Sequence, residues 1–168
     1  MVNEIEVDSW LNQVEIIGWM YQFYIQTPKD ELIHAKKQYK SNEIGFVTQL
    51  FTPKWIVKYL VENTLGSYWH KYNYKTDLIN KLYYYTYPTN KRFESKNINV
   101  EDIKVIDIAM GSGHILVYVF DVLMKIYENM GWSQRDAAVS ILQNNIFGLD
   151  IDERAYQLTY FALFMKAR

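Results

Sequence analysis

Val105-Ile106-Asp107-Ile108-Ala109-Met110-Gly111-Ser112-Gly113-His114-Ile115-Leu116-Val117 is the stretch on which the fold turns. An apolar run of strand length reaches one carboxylate, passes a Gly-Ser-Gly turn, and becomes apolar again at once. Lys104 to Ile108 reads as a short buried strand. Ile115 to Tyr127 is apolar nearly all round, as a helix packed against a sheet must be, and Gly131 closes it. Ser133 with Asp136 three residues on resembles a capping box that opens a further helix from Gln134 to Gln143. Asn145 to Asp152 reads as a second strand ending in acids, and a last helix runs from Glu153 to the end. Strand, helix, helix, strand, helix is a βαβ order with a parallel strand pair.

Upstream the signals are helical. Trp10, Val14, Ile17, Tyr21 and Tyr24 recur at three- and four-residue spacing, which predicts a helix from Trp10 to Ile25 capped by Asp8 or Ser9. The polar, basic run Lys36 to Asn42 reads as an exposed connection. Thr52-Pro53 reads as an N-cap followed by the first helical residue, with Gly66 ending that helix. Tyr83-Tyr84-Tyr85-Thr86-Tyr87 fits either a helix or an edge strand.

Composition narrows the classes. The chain has 168 residues, 49% hydrophobic and 22% charged, enough for one globular domain with a sizeable core. Its formal net charge of −1 gives no electrostatic case for nucleic acid over the whole chain, so any such contact needs a local basic face. The absence of cysteine excludes disulfides and thiolate metal sites, and fits a reducing cytoplasm. The acidic amino terminus does not resemble a secretory signal, and the longest apolar run is too short to span a membrane.

In open α/β sheets, ligands bind beyond the carboxyl ends of the strands, where Asp107 and Asp150 are expected. Two acids suit a ligand carrying hydroxyls or an amine rather than one dominated by phosphate. A dinucleotide fingerprint fits poorly, because Leu116 stands where its third glycine belongs and Asp150 lies 37 residues beyond Gly113. S-adenosylmethionine fits better. Its amine suits Asp107, its ribose diol Asp150 and its adenine Ile151, while its carboxylate suits the open N–H groups where the Thr52-Pro53 helix begins. Singly, each of these features is an ordinary turn or helix start; their order along one chain is what points to a site.

That order resembles a known family. Asp107-Ile108-Ala109-Met110-Gly111-Ser112-Gly113 is similar to the first motif of N6-adenine-specific DNA methyltransferases, Asp-Pro-Ala-Cys-Gly-Ser-Gly. Phe51-Thr52-Pro53 resembles their upstream cofactor motif, and Gly148-Leu149-Asp150-Ile151-Asp152 their second. Glu15 to Tyr24 and Ala162 to Arg168 are similar to the branch found in bacteriophage-exclusion systems, close to fused restriction–modification enzymes. The resemblance implies a partial Rossmann-like class I methyltransferase fold, helix-rich, with an incomplete parallel sheet. It implies S-adenosylmethionine as cofactor, held by Phe51, Thr52, Pro53, Asp107, Ala109, Gly111, Gly113, Asp150 and Ile151. The implied organisation is a helical segment over residues 1–44 and the cofactor-binding part of a methyltransferase domain over 45–168.

Two substitutions depart from the pattern: Ile108 stands for the usual proline and Met110 for the usual cysteine, placing a longer side chain near the expected cofactor. The family's catalytic Asn-Pro-Pro-Tyr is absent, since Pro28, Pro53 and Pro88 are the only prolines. No catalytic residue is therefore expected here, and His114 is expected to be a packed helix-opening residue rather than a base. The expectation is a cofactor-binding fragment of an enzyme that flips adenine out of duplex DNA and methylates it without metal. The isolated fragment is expected to be inactive and to self-associate through a bare sheet edge or apolar helix face. The alternatives are a non-catalytic interaction module of the same fold and, further off, a nicotinamide-nucleotide-binding protein.

Overall fold

The computed structural model describes residues 15–35, 37–87, 94 and 98–168. Two strands form the sheet, β1 (Val105–Asp107) and β2 (Ile146–Gly148). They pair in parallel with Val105 opposite Ile146, Ile106 opposite Phe147 and Asp107 opposite Gly148. Between them run α5 (His114–Asn129), α6 (Gln134–Ser140) and a wider π turn over Ile141–Asn145. After β2 comes α7 (Glu153–Ala167). The architecture is helix-rich with a small parallel sheet, as the partial Rossmann-like reading expects.

α5 is the centre of the core. Leu116, Val117, Val119, Phe120, Val122, Leu123, Ile126 and Tyr127 are all buried, as its nearly continuous apolar sequence requires. Gly131 ends it at φ 85°, a conformation that glycine adopts without strain. The cap of α6 is formed as expected, with the Asp136 backbone N–H donating to Ser133 Oγ at 3.1 Å. Behind α6, buried Asn145 donates to the carbonyls of Val100 and Ile103, both at 2.8 Å, and accepts from the Tyr127 hydroxyl at 2.8 Å. This fully paired network fixes the entry of β2 to the foot of β1.

Both strands are shorter than expected, and β2 occupies only the middle of the predicted Asn145–Asp152 run. The sheet nevertheless alternates: Val105 and Ile146 pack on the core, whereas Ile106 (59% exposed) and Phe147 (43% exposed) face outward.

Upstream, α1 (Glu15–His34), α2 (Ser41–Thr48), α3 (Lys54–Val61) and α4 (Ser67–Tyr72) precede the sheet. Several expectations need correction. α1 does not stop at Ile25 but continues through Pro28. Its buried side is Ile16, Gly18, Tyr21 and Ile25, while Tyr24 is 68% exposed. Asp8, Ser9, Trp10, Val14 and Lys36 lie outside the described residues. Ser41 and Asn42 open α2 rather than extend the connection, with the Lys40 N–H donating to Glu43 Oε2 at 2.8 Å. Pro53, not Thr52, is the N-cap of α3, so the helix starts one residue later than the Thr-Pro signal suggests.

Gly66 does not end the helix. It has φ −61° and ψ −43°, inside a π segment (Glu62–Gly66) that joins α3 to α4. A Cβ there would lie 2.8 Å from Leu82 Cδ1, so glycine serves close packing rather than termination. Tyr83 to Tyr87 is neither helix nor strand. The segment lies along the π turn, with the Tyr84 N–H on Glu62 Oε2 at 2.5 Å and the Thr86 N–H on Asn63 Oδ1 at 2.8 Å. No helix among the described residues is long and apolar enough to cross a membrane.

Candidate functional site

The loop after β1 is clamped from two sides. The Leu149 N–H donates to the Asp107 carbonyl at 2.8 Å and the Met110 N–H to the Leu149 carbonyl at 3.1 Å, which carries the strand ladder past its formal end. Gly111 then turns at φ 54°; its N–H donates to Asp150 Oδ2 at 2.8 Å, and its carbonyl accepts the Thr159 hydroxyl of α7 at 2.8 Å. Gly113 follows at φ 88° and caps α5. A Cβ on Gly113 would sit 2.8 Å from the Thr159 side chain, so both the backbone angle and the space demand glycine.

The two acids at the strand ends behave differently. Asp150 accepts twice from backbone, Gly111 N–H on one oxygen and Asp152 N–H on the other at 2.8 Å. A carboxylate offers about four acceptor positions, so Asp150 keeps capacity for hydroxyl donors while bracing the loop. Asp107 Oδ1 accepts the Ala109 N–H at 3.0 Å, but its buried Oδ2 has no hydrogen-bond partner among the described residues. A buried carboxylate oxygen without a donor is costly, and an ammonium is the group that would relieve it most.

Met110 is a correction. Its side chain turns into the core, where a Cβ on Gly148 would meet Met110 Sδ at 2.3 Å. The long side chain fills the space under β2 rather than crowding the loop's outer face. Ile108, by contrast, is exposed beside Asp107.

Of the predicted residues, Asp107, Ala109, Gly111, Gly113 and Asp150 share the clamped loop. Phe51, Thr52 and Pro53 approach it from α3 and line a cleft of about 290 Å³ together with His114. The Phe51 ring stands edge-on to the His114 ring at 6.3 Å. His114 opens α5 as expected, with Nδ1 3.1 Å from Ser112 Oγ. Ile151 is not brought into this cleft; it lines a separate groove with Asp152 and Arg154.

Three contributions lie outside the expectations. Gln49 is buried with Oε1 3.4 Å from where a Cβ on Gly111 would lie, joining the approach to α3 to the glycine loop. α1 crosses the loop, and Gly18 permits it, since a Cβ there would fall 2.7 Å from His114 Cε1. α1 is further tied by Tyr21, whose hydroxyl donates to Asp152 Oδ2, and by Lys29, which donates to the Gln49 carbonyl. Burial, then the bond to Asp152, holds the Tyr21 hydroxyl protonated well beyond the ordinary tyrosine range. Glycine at a helix crossing is a signal that could have marked Gly18; Gln49 had none.

Comparison with known proteins places this geometry. No protein-family profile matches the chain. It is 49% identical over 180 residues to the adenine-specific methyltransferase PglX of Lacticaseibacillus casei (strain Zhang), taking in 99% of the chain and 15% of that protein. It is 47% identical over 177 residues to the adenine-specific methyltransferase BrxX of Escherichia coli O9:H4 (strain HS), taking in 100% of the chain and 14% of that protein. The chain is similar to one segment of these adenine-specific methyltransferases. It spans about 15% of the length of the curated relatives it matches. The clamped glycine loop and the two strand-end acids lie within the stretch that matches these proteins.

Proposed function

We propose that this chain is the S-adenosylmethionine-binding portion of a site-specific adenine-N6 DNA methyltransferase of a restriction–modification or phage-defence system. The unpartnered buried oxygen of Asp107, at the carboxyl end of β1 beside a glycine loop, carries the proposal. It fits the cofactor's ammonium group. Asp150, with two acceptor positions used and two left, fits the ribose hydroxyls. Gly111 and Gly113 keep the loop's surface clear of side chains, and Ala109 adds only a methyl group. Phe51, Thr52 and Pro53 bound the site from the start of α3, and Ile151 offers an apolar contact on the β2 side. The cofactor, when bound, supplies an activated methyl group. What the chain's own residues do is seat and orient it.

In this proposal the whole protein acts on adenine in duplex DNA in the cytoplasm, and the residues that hold the adenine belong to its other segments. The exposed pair Ile106 and Phe147 supports self-association of the isolated chain, and light scattering is expected to read a dimer; a monodisperse monomer would count against it.

Isothermal titration of the chain with S-adenosylhomocysteine, with NAD as control, tests the cofactor assignment. Saturable binding of the former alone is expected. Preferential binding of NAD would replace the proposal with a nicotinamide-nucleotide site; no binding of either would favour an interaction module that has kept the fold.

A further inference from the structure

Tyr21 joins the first helix to the glycine loop through a bond that spans 131 positions of sequence. It stands on the buried side of α1 with Ile25 one turn on, and the two cluster with Ala155 of α7. A buried tyrosine needs a partner for its hydroxyl, and here the partner is Asp152 Oδ2. Burial, then this bond, keeps the hydroxyl protonated, so it acts as the donor.

Asp152 is the N-cap of α7 and is held at every polar atom. Its Oδ1 accepts the Arg154 N–H at 3.0 Å and its carbonyl accepts the Tyr156 N–H at 3.0 Å. Its own N–H donates to Asp150 Oδ1 at 2.8 Å. α2 closes the other side, since a Cβ on Gly45 would lie 3.3 Å from Asp152 Cβ. The other oxygen of Asp150 accepts the Gly111 N–H at 2.8 Å. Tyr21, Asp152, Asp150 and Gly111 therefore form one chain of contacts from α1 to the loop. A second path runs beside it: Lys29 of α1 donates to the Gln49 carbonyl, and Gln49 Oε1 lies 3.4 Å from the place of a Cβ on Gly111. Both paths leave α1 and meet at Gly111.

We infer that Tyr21 is a positioning residue for the methyl-donor site: acting through Asp152, it fixes the aim of the Asp150 carboxylate at the ribose hydroxyls. Its part in donor binding rests on the cofactor reading; the chain of contacts to Gly111 does not. Without the Tyr21 hydroxyl, Asp152 Oδ2 loses its donor and the first turn of α7 is released from α1. Asp150 then keeps its charge but not its set direction, and misdirection of a binding group weakens the contacts that group makes.

The test has two arms on the full chain. Site-resolved hydrogen exchange, without ligand, compares the parent with Tyr21→Phe. The Gly111 and Asp152 amides should exchange about tenfold faster in the variant, while those of α5 and the strand ladder stay within about twofold. Calorimetric titration then compares S-adenosylhomocysteine with its analogue lacking the 2′-hydroxyl. Tyr21→Phe should weaken the first about threefold or more and the second less than about twofold, so that the parent's preference between them shrinks. A tyrosine that only stabilised the fold would speed all the amides alike and leave that preference unchanged. Asp152→Ser cuts the same tie from the other end, because its single oxygen still caps α7, and should repeat both effects. Unchanged Gly111 and Asp152 exchange, uniform acceleration, or an unchanged preference overturns the inference. A parent that binds no S-adenosylhomocysteine removes the cofactor reading instead. Acceleration confined to Gly111 and Asp152 would then leave Tyr21 as the residue that positions the loop, and its absence would remove that role too.

Discussion

Asp107 and Asp150 stand at the ends of paired strands, and in the sequence they look like equivalent ligands. In the folded chain they are not. Asp150 is drawn into the architecture by two backbone N–H groups, one from the loop it faces and one from its own turn. Asp107 gives one oxygen to the Ala109 N–H and leaves the other buried and unpartnered. One acid braces the loop; the other is held at a cost in an environment that would welcome a cation. A strand-end carboxylate can therefore be structural, functional or both, and its hydrogen-bond partners tell which.

The sharpest way to break this comparison is to break the loop itself. Gly113→Ala adds a Cβ 2.8 Å from Thr159 at a φ of 88°, and should cost roughly 2–4 kcal/mol in chemical denaturation. A cost within about 0.5 kcal/mol would mean that the loop is not clamped as described. Asp150→Ala removes the acceptor of the Gly111 and Asp152 N–H groups and should cost about 1–3 kcal/mol. Asp107→Ala removes one hydrogen bond but also an unsatisfied oxygen, so its stability should stay within about 1 kcal/mol of the parent. If the two aspartate variants melted alike, the distinction between brace and ligand would fail.

The smallest effect concerns α1, which Tyr21 ties to Asp152 two residues beyond Asp150. The Tyr21 hydroxyl is held protonated above its ordinary value of about 10. The folded form therefore binds that proton more tightly than the unfolded form. The tie is fully present below about pH 10 and is lost as pH rises through the raised folded value. Hydrogen exchange across α1 should accelerate more steeply above pH 10 in the parent than in Tyr21→Phe. Identical profiles would show that the tie does not hold the helix.

Much of this was legible locally. The β1–glycine–α5 junction, the Ser133 cap and the closing Gly131 each depend on residues within a turn or two of one another. What could not be read depends on distant partners. Gly66 looks like a helix end in the sequence, but its reason for being glycine is Leu82, sixteen residues on and across the π turn. Met110 points toward a cofactor by motif position alone, and only the packed sheet reveals the space under Gly148 that receives it. Thr52 looked like the cap of α3, but the extended backbone at Pro53 moves the helix start by one residue. The second half of α1 is largely exposed and has no apolar period, so nothing in the sequence marks where the helix ends. In the site, the acids and glycines were visible as types, whereas Gln49, Gly18 and the division of labour between the two aspartates emerge only from the fold.

The central claim is that Asp107 is the cation-binding acid of a methyl-donor site. Its most direct test is calorimetric titration of S-adenosylhomocysteine into the parent chain and into Asp107→Ala under the same conditions. The account predicts saturable binding to the parent and a loss of about tenfold or more in the variant, with the fold intact by circular dichroism. Equal affinity in both would contradict it, and would leave Asp107 as a strand-end acid with no part in holding the donor.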